Sequence, residues 1–171
     1  MGSGAIATKS MPTVYLETTI PSYLAAHPSR DLVIAAHQQI SHAWWRHARE
    51  HYDLYVSEAV LNETRTGDPE AASRRSEFIR GLAVLRFNAE VRHLVNEYNR
   101  RLGLGRRAEA DLPHFAFAVA YGMDYLVTWN CRHIANDEVI RRLLKANAEL
   151  GRVTPLIVTP EQMLVAAEED S

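Results

Sequence analysis

Five short apolar runs of β-type residues, each followed by a segment with helical spacing or a helix signal, decide most of what this chain can become. They lie at residues 13–20, 53–56, 84–87, 125–128 and 156–158. Strands this short and this uniformly apolar are buried on both faces, and strands that alternate with helices build a mainly parallel sheet covered on both sides. The expected fold class is therefore α/β, with helices on either side of a central, mainly parallel sheet of four to five strands. In such sheets ligands bind beyond the carboxyl ends of the strands.

Capping residues divide the intervening segments. Thr19 with Pro21 opens a short helix, and Ser29 caps a longer one that runs to about His51 with Leu32, Ile34, Ala35, Ile40, Ala43, Trp44 and Ala48 at helical spacing. Ser57 caps 58–64, Asp68 with Pro69 opens a helix to about Arg80, and Asn88 caps 89–102. A further helix runs from Ala108 or Asp111 to Tyr121, another spans 137–150 behind Asn136 or Asp137, and Thr159-Pro160 opens a terminal turn. No repeat or linker divides the chain. Residues 11–165 are expected to form one domain, 1–10 to be a Gly/Ser/Ala/Thr-rich leader ahead of a start at Met11, and 166–171 to be an acidic tail.

Composition narrows the function classes. The 171 residues are 47% hydrophobic and 23% charged, enough for one core, and a net charge of −2 argues against gripping long nucleic acid over the whole surface. Any nucleic-acid contact must then rest on a local basic patch. A single cysteine, Cys131, excludes an internal disulfide and a multi-cysteine metal site, which fits a reducing cytoplasm. The longest nearly apolar run, 115–123, is less than half a membrane span, so no membrane association is expected.

Glu17 is the least ordinary residue, because a buried strand that stops at an acid needs a partner or a function for it. Glu63 in the helix after the second strand, Asp111 at a helix start and Asn130 just past the fourth strand can reach the same sheet edge. Glu17, Glu63 and Asp111 offer the oxygen donors that Mg2+ or Mn2+ favours, and Thr18, Thr19 and Thr128 are hydroxyls near enough to hold ligands or water. Arg100, Arg101, Arg106 and Arg107, with Arg132 and His133, are candidates for substrate phosphate. Plainer roles exist for each: Asp111 as a helix cap, Glu63 as a solvated residue with Glu58 one turn away, the arginines as a helix terminus, Trp129 as packing rather than a stacking platform, and His114 as a hydrogen-bonded core residue. The run His47-Ala48-Arg49-Glu50-His51 also fits the H-x-x-E-H zinc pattern, the signature of a metalloprotease.

Taken in order, four motifs resemble the PIN-domain family, most closely the VapC-type ribonuclease toxins of toxin–antitoxin pairs. They are Val14-Tyr15-Leu16-Glu17-Thr18-Thr19, Val56-Ser57-Glu58-Ala59-Val60-Leu61-Asn62-Glu63, Asp111-Leu112-Pro113-His114-Phe115-Ala116 and Tyr125-Leu126-Val127-Thr128-Trp129-Asn130. The resemblance spans nearly all of residues 11–165 and implies a three-layer α/β/α PIN-like fold. It places the family's four site acids on Glu17, Glu63, Asp111 and Asn130. It further implies Mg2+- or Mn2+-dependent RNA hydrolysis that leaves 5′-phosphate and 3′-hydroxyl ends, a cytoplasmic protein, a cognate antitoxin and a homodimer. Glu17 replaces the usual aspartate and Asn130 removes a charge, so the alternative is a catalytically degenerate PIN fold that binds RNA or protein.

Overall fold

The computed structural model describes residues 10–169, with side chains to residue 167. The leader expected over residues 1–10 lies outside them except for Ser10, as do residues 170–171. Five strands, β1 (Thr13–Leu16), β2 (Asp53–Ser57), β3 (Ala83–Leu85), β4 (Tyr125–Val127) and β5 (Leu156–Val158), form one sheet in the order β3-β2-β1-β4-β5. Every pairing is parallel. Val14, Tyr15 and Leu16 of the central β1 are wholly buried, as the unbroken apolar run requires.

Nine helices are seen among the described residues: α1 (Thr19–Ala25), α2 (Leu32–His51), α3 (Glu58–Thr64), α4 (Pro69–Ile79), α5 (Ala89–Leu102), α6 (Arg106–Glu109), α7 (Leu112–Ala120), α8 (Asp137–Glu149) and α9 (Pro160–Glu169). Helix α1 packs with α2 and α4, α3 with α4 and α9 against α2, while α5 packs with α7 and α8, so helices flank the sheet. Leu112 and residues 114–119 of α7 are all buried, because this helix is covered by α5 on one side and meets Tyr15 of the sheet on the other. The chain winds outward from β1 through β2 to β3, then crosses back to β4 and β5. That reversal puts a switch point between β1 and β4, where the carboxyl ends of two adjacent strands open a crevice.

Several boundaries differ from the sequence expectation for local reasons. Asp31, not Ser29, caps α2: its carboxylate accepts the N–H groups of Val33 and Ile34 at 2.9 and 3.0 Å, while the Ser29 hydroxyl accepts that of Asp31. A charged acceptor at the positive end of a helix outcompetes a hydroxyl. Strand β3 stops at Leu85 because the next two residues are diverted, the Arg86 backbone to the Tyr121 hydroxyl and the Phe87 N–H to Glu58. Gly103, at φ 58°, ends α5 in the left-handed conformation that glycine adopts without strain. The expected terminal turn is the start of α9, which carries residues 166–169 of the expected tail in a helix. Among the described residues no helix is long and apolar enough to cross a membrane.

Candidate metal centre

The site starts where β1 ends. The Glu17 N–H donates to the Val127 carbonyl at 3.1 Å, so the residue still follows the sheet while its side chain leaves the carboxyl end, 4% exposed. Carboxylate oxygen Oε2 accepts three hydrogen bonds, from the Thr19 N–H at 3.0 Å, the Thr19 hydroxyl at 2.5 Å and the Thr128 hydroxyl at 2.7 Å. Among the described residues no donor meets Oε1. Thr19, expected to cap a helix, spends its hydroxyl on Glu17 and accepts the Trp129 N–H at 2.8 Å. The side chain at the α1 cap position, Thr18, makes no capping bond and donates to Glu63 instead. The three threonines therefore tie β1, β4 and α3 together around two carboxylates.

Ser57 caps α3 as expected and fixes the helix that presents Glu63. His114, on α7, brings Nε2 to 3.3 Å from Glu63 Oε1. Glu17, Glu63 and His114 each offer one ligand atom, and these atoms all lie within 4.8 Å of one another. No other group of three or more such residues meets that spacing among the described residues. The two carboxylates, one with an oxygen still open to a partner, offer oxygen donors that suit a divalent ion of the Mg2+ or Mn2+ class, with the imidazole beside them.

Asp111 stands beside this cluster rather than within it. It occupies the cap position of α7 without a capping hydrogen bond, so the plain cap role is not the one its side chain takes. Its Oδ1 accepts from Asn130 Nδ2 at 3.2 Å, while Asn130 Oδ1 accepts the His133 N–H at 3.0 Å. That backbone donor fixes the amide: Asn130 turns its nitrogen, not its oxygen, toward the acid. The backbone N–H of Asn130 meanwhile donates to Thr128 Oγ1 at 2.9 Å. The four positions read from the sequence thus reach one edge, with Glu17 and Glu63 in direct company and Asp111 linked through Asn130. His114 is the member that sequence reasoning left in the core. Its signal was its place three residues after Asp111, on the same helix face.

The charges bias one another. Burial works against the charged form of Glu63, but the His114 imidazole and the Thr18 hydroxyl hold its carboxyl below the usual range. Burial likewise opposes a charged His114, yet Glu63, Glu17 and Asp111 raise its pKa. For Asp111, burial aided by the Glu17 charge pushes the carboxyl up against the pull of His114, His133 and Asn130. A carboxyl raised in the folded state stabilises the fold below its unfolded pKa, and that contribution is lost as pH rises through the folded pKa. In metal-free buffer, Asp111→Asn should therefore melt increasingly above wild type as pH climbs above about 4, read by thermal denaturation at each pH.

No family model matches the sequence, and no curated protein matches it. Solved structures do. VapBC2 from Rickettsia felis, bound to a DNA fragment from its promoter, is similar at a TM-score of 0.57 and 16% identity, over 86% of this chain and 98% of that one. The chain has a PIN-domain, VapC-type fold. A second solved structure with this fold is VapC20 of Mycobacterium tuberculosis, a sarcin–ricin-loop-cleaving toxin, at a TM-score of 0.55 and 16% identity over 72% of this chain and 94% of that one.

On this PIN-domain scaffold the remaining candidates separate cleanly. Arg100 and Arg101 are both paired with Glu97, and Arg101 also with Glu149, so these two belong to a surface ion-pair cluster. Arg106, Arg107 and Arg132 are exposed and form no ion pair among the described residues; His133 is half-buried beside Asp111. Trp129 is 8% exposed, donates from Nε1 to Ser41 at 2.7 Å and stacks on His37 at 4.0 Å, which makes it packing rather than a stacking platform. His47 and His51 stack on each other at 4.0 Å, and His51 Nδ1 is bonded to the His47 carbonyl. With Glu50 they form no three-donor group, and α2 delivers them to the start of β2, away from the carboxyl edge. The H-x-x-E-H run thus lies apart from the carboxyl-edge site.

Proposed function

We propose that this chain is a divalent-cation-dependent endoribonuclease, the toxin of a toxin–antitoxin pair, acting on RNA in the cytoplasm as a homodimer. The observation that carries this reading is the cluster of Glu17, Glu63 and His114 at the switch point of a VapC-type fold. Glu17 through Oε1, Glu63 and the adjacent Asp111 would hold Mg2+ or Mn2+. When bound, such an ion supplies Lewis-acid charge for the attacking water and for the phosphate oxygens.

The chain's own residues do the rest. Thr19 and Thr128 fix the Glu17 carboxylate, and Thr18 fixes Glu63, so the acids are set before substrate arrives. Arg106, Arg107 and Arg132 supply positive charge for the RNA backbone, with His133 as a candidate hydrogen-bonding contact. In-line hydrolysis there would leave 5′-phosphate and 3′-hydroxyl ends. A partner antitoxin is supported by the Rickettsia felis structure, which is a VapBC assembly.

The competing reading is a PIN-fold module that binds RNA or protein without cutting, and it draws on Asn130. Asn130→Asp separates the two. Under the ribonuclease reading, wild type cleaves single-stranded RNA and the substitution, by adding a fourth acid, tightens Mn2+ binding on the order of tenfold in a calorimetric titration. Wild type that cleaves nothing while Asn130→Asp does would assign the natural chain to the second reading.

A further inference from the structure

His114 is a buried polar residue with an ordered neighbour on each ring nitrogen. It is 1% exposed, yet Nε2 shares a 4.8 Å cluster with carboxylate oxygens of Glu17 and Glu63. Its distance to Glu63 Oε1 is 3.3 Å. A charge-assisted bond between an imidazolium and a carboxylate closes to about 2.7–2.9 Å. The 3.3 Å gap is longer than that bond and also close to the edge, about 3 Å, between neighbouring ligands of a six-coordinate ion with bonds of about 2.1 Å, so the pair that hydrogen-bonds in metal-free protein is spaced to share an ion.

The other nitrogen agrees. Nδ1 lies 2.8 Å from the Tyr15 hydroxyl, which lies 2.8 Å from Ser57 Oγ. Imidazoles that bind metal usually give their second N–H to a fixed acceptor, which sets the tautomer. Tyr15 and Ser57 can provide that acceptor: Nδ1–H donates to the Tyr15 oxygen and the Tyr15 hydroxyl donates to Ser57, so that Nε2, whose N–H faces Glu63 in metal-free protein, would be free to give its lone pair to an ion bound between the carboxylates. Ser57 also accepts the Val60 N–H at the start of α3, so one residue anchors both the imidazole and the helix that carries Glu63.

We infer that His114 Nε2 is a protein ligand of the divalent ion beside Glu17 and Glu63, and that this nitrogen makes the site prefer Mn2+ over Mg2+. Mg2+ is the harder ion, demands oxygen ligands and retains its waters, whereas Mn2+, a first-row transition ion, is softer and accepts an imidazole nitrogen more readily. The inference rests on the metal-site reading above and adds to it the identity of a nitrogen ligand.

Pulsed electron paramagnetic resonance of Mn2+ bound to the full-length protein tests it without an activity assay. The expected spectrum shows coupling to a directly bound nitrogen-14. That coupling should vanish in His114→Gln, with Mn2+ affinity falling about 10- to 100-fold and Mg2+ affinity much less, so that the preference collapses. Tyr15→Phe should keep the coupling while weakening Mn2+ binding, because it removes the orienting acceptor and not the ligand. Since His114 is buried and its substitution can unfold the chain, the wild-type spectrum decides alone: bound Mn2+ without nitrogen coupling overturns the inference and spares the metal site. Coupling that survives in a folded His114→Gln protein also overturns it. Failure of wild type to bind Mn2+ at all overturns the metal-site reading together with it.

Discussion

Glu17→Gln is expected to lower RNA cleavage by about 1,000-fold or more while leaving the protein folded, as judged by initial rates on a single-stranded oligonucleotide and by a melting curve. The two halves of this expectation come from the two oxygens. Oε2 is occupied by Thr19 and Thr128, and a glutamine carbonyl can accept the same three hydrogen bonds. Oε1 has no donor among the described residues, and in the glutamine variant an uncharged amide stands in its place. Loss of one anionic ligand removes charge complementarity worth several kcal/mol in a transition state, and each ~1.4 kcal/mol is tenfold in rate. Glu17→Ala is a different experiment, because it strands the buried Thr128 hydroxyl and costs about 1–3 kcal/mol of stability besides. A Glu17→Gln protein that retains wild-type rates would remove Glu17 from the site.

The sheet and the positions of its strand-end acids were legible because both are local signals. Short apolar runs, interrupted by caps such as Ser57 and Asn88, report their own boundaries, and both caps make the expected bonds. Glu17 was legible for the same reason: an acid closing a buried strand conflicts with its surroundings unless the fold uses it. The parts that were not legible depend on which atom of a side chain meets which distant neighbour. Asn130 read as the fourth position of the site with a charge removed, yet the orientation of its amide is set by the His133 backbone, a constraint that exists only once the loop has closed. His114 read as core, which it is by burial, but the proximity of its Nε2 to Glu63, well before it in the chain, exists only once the fold has brought the two side chains together. Arg100 and Arg101 are the instructive miss in the other direction. Glu97 precedes them by three and four residues, a spacing that pairs charges along one helix face, and they are accordingly held there.

Removal of the divalent ion should have an effect as large as loss of Glu17. Without it, Glu17, Glu63 and Asp111 face one another and the phosphodiester with no cation but the neighbouring imidazole to offset their charge, and repulsion acts on the substrate as well as between the acids. Metal-free protein should therefore be inert toward RNA, not merely slower. Re-addition of the ion should restore the rate fully, because the threonine ties that set the acids are made within the protein.

The most direct measurement follows one single-stranded RNA through a cycle of Mn2+, excess EDTA and renewed Mn2+ with the wild-type chain, with the product ends identified. The account predicts cleavage to 5′-phosphate and 3′-hydroxyl ends in Mn2+, none in EDTA and full recovery on re-addition. Cleavage that continues undiminished in EDTA, or no cleavage under any of the three conditions, would contradict it.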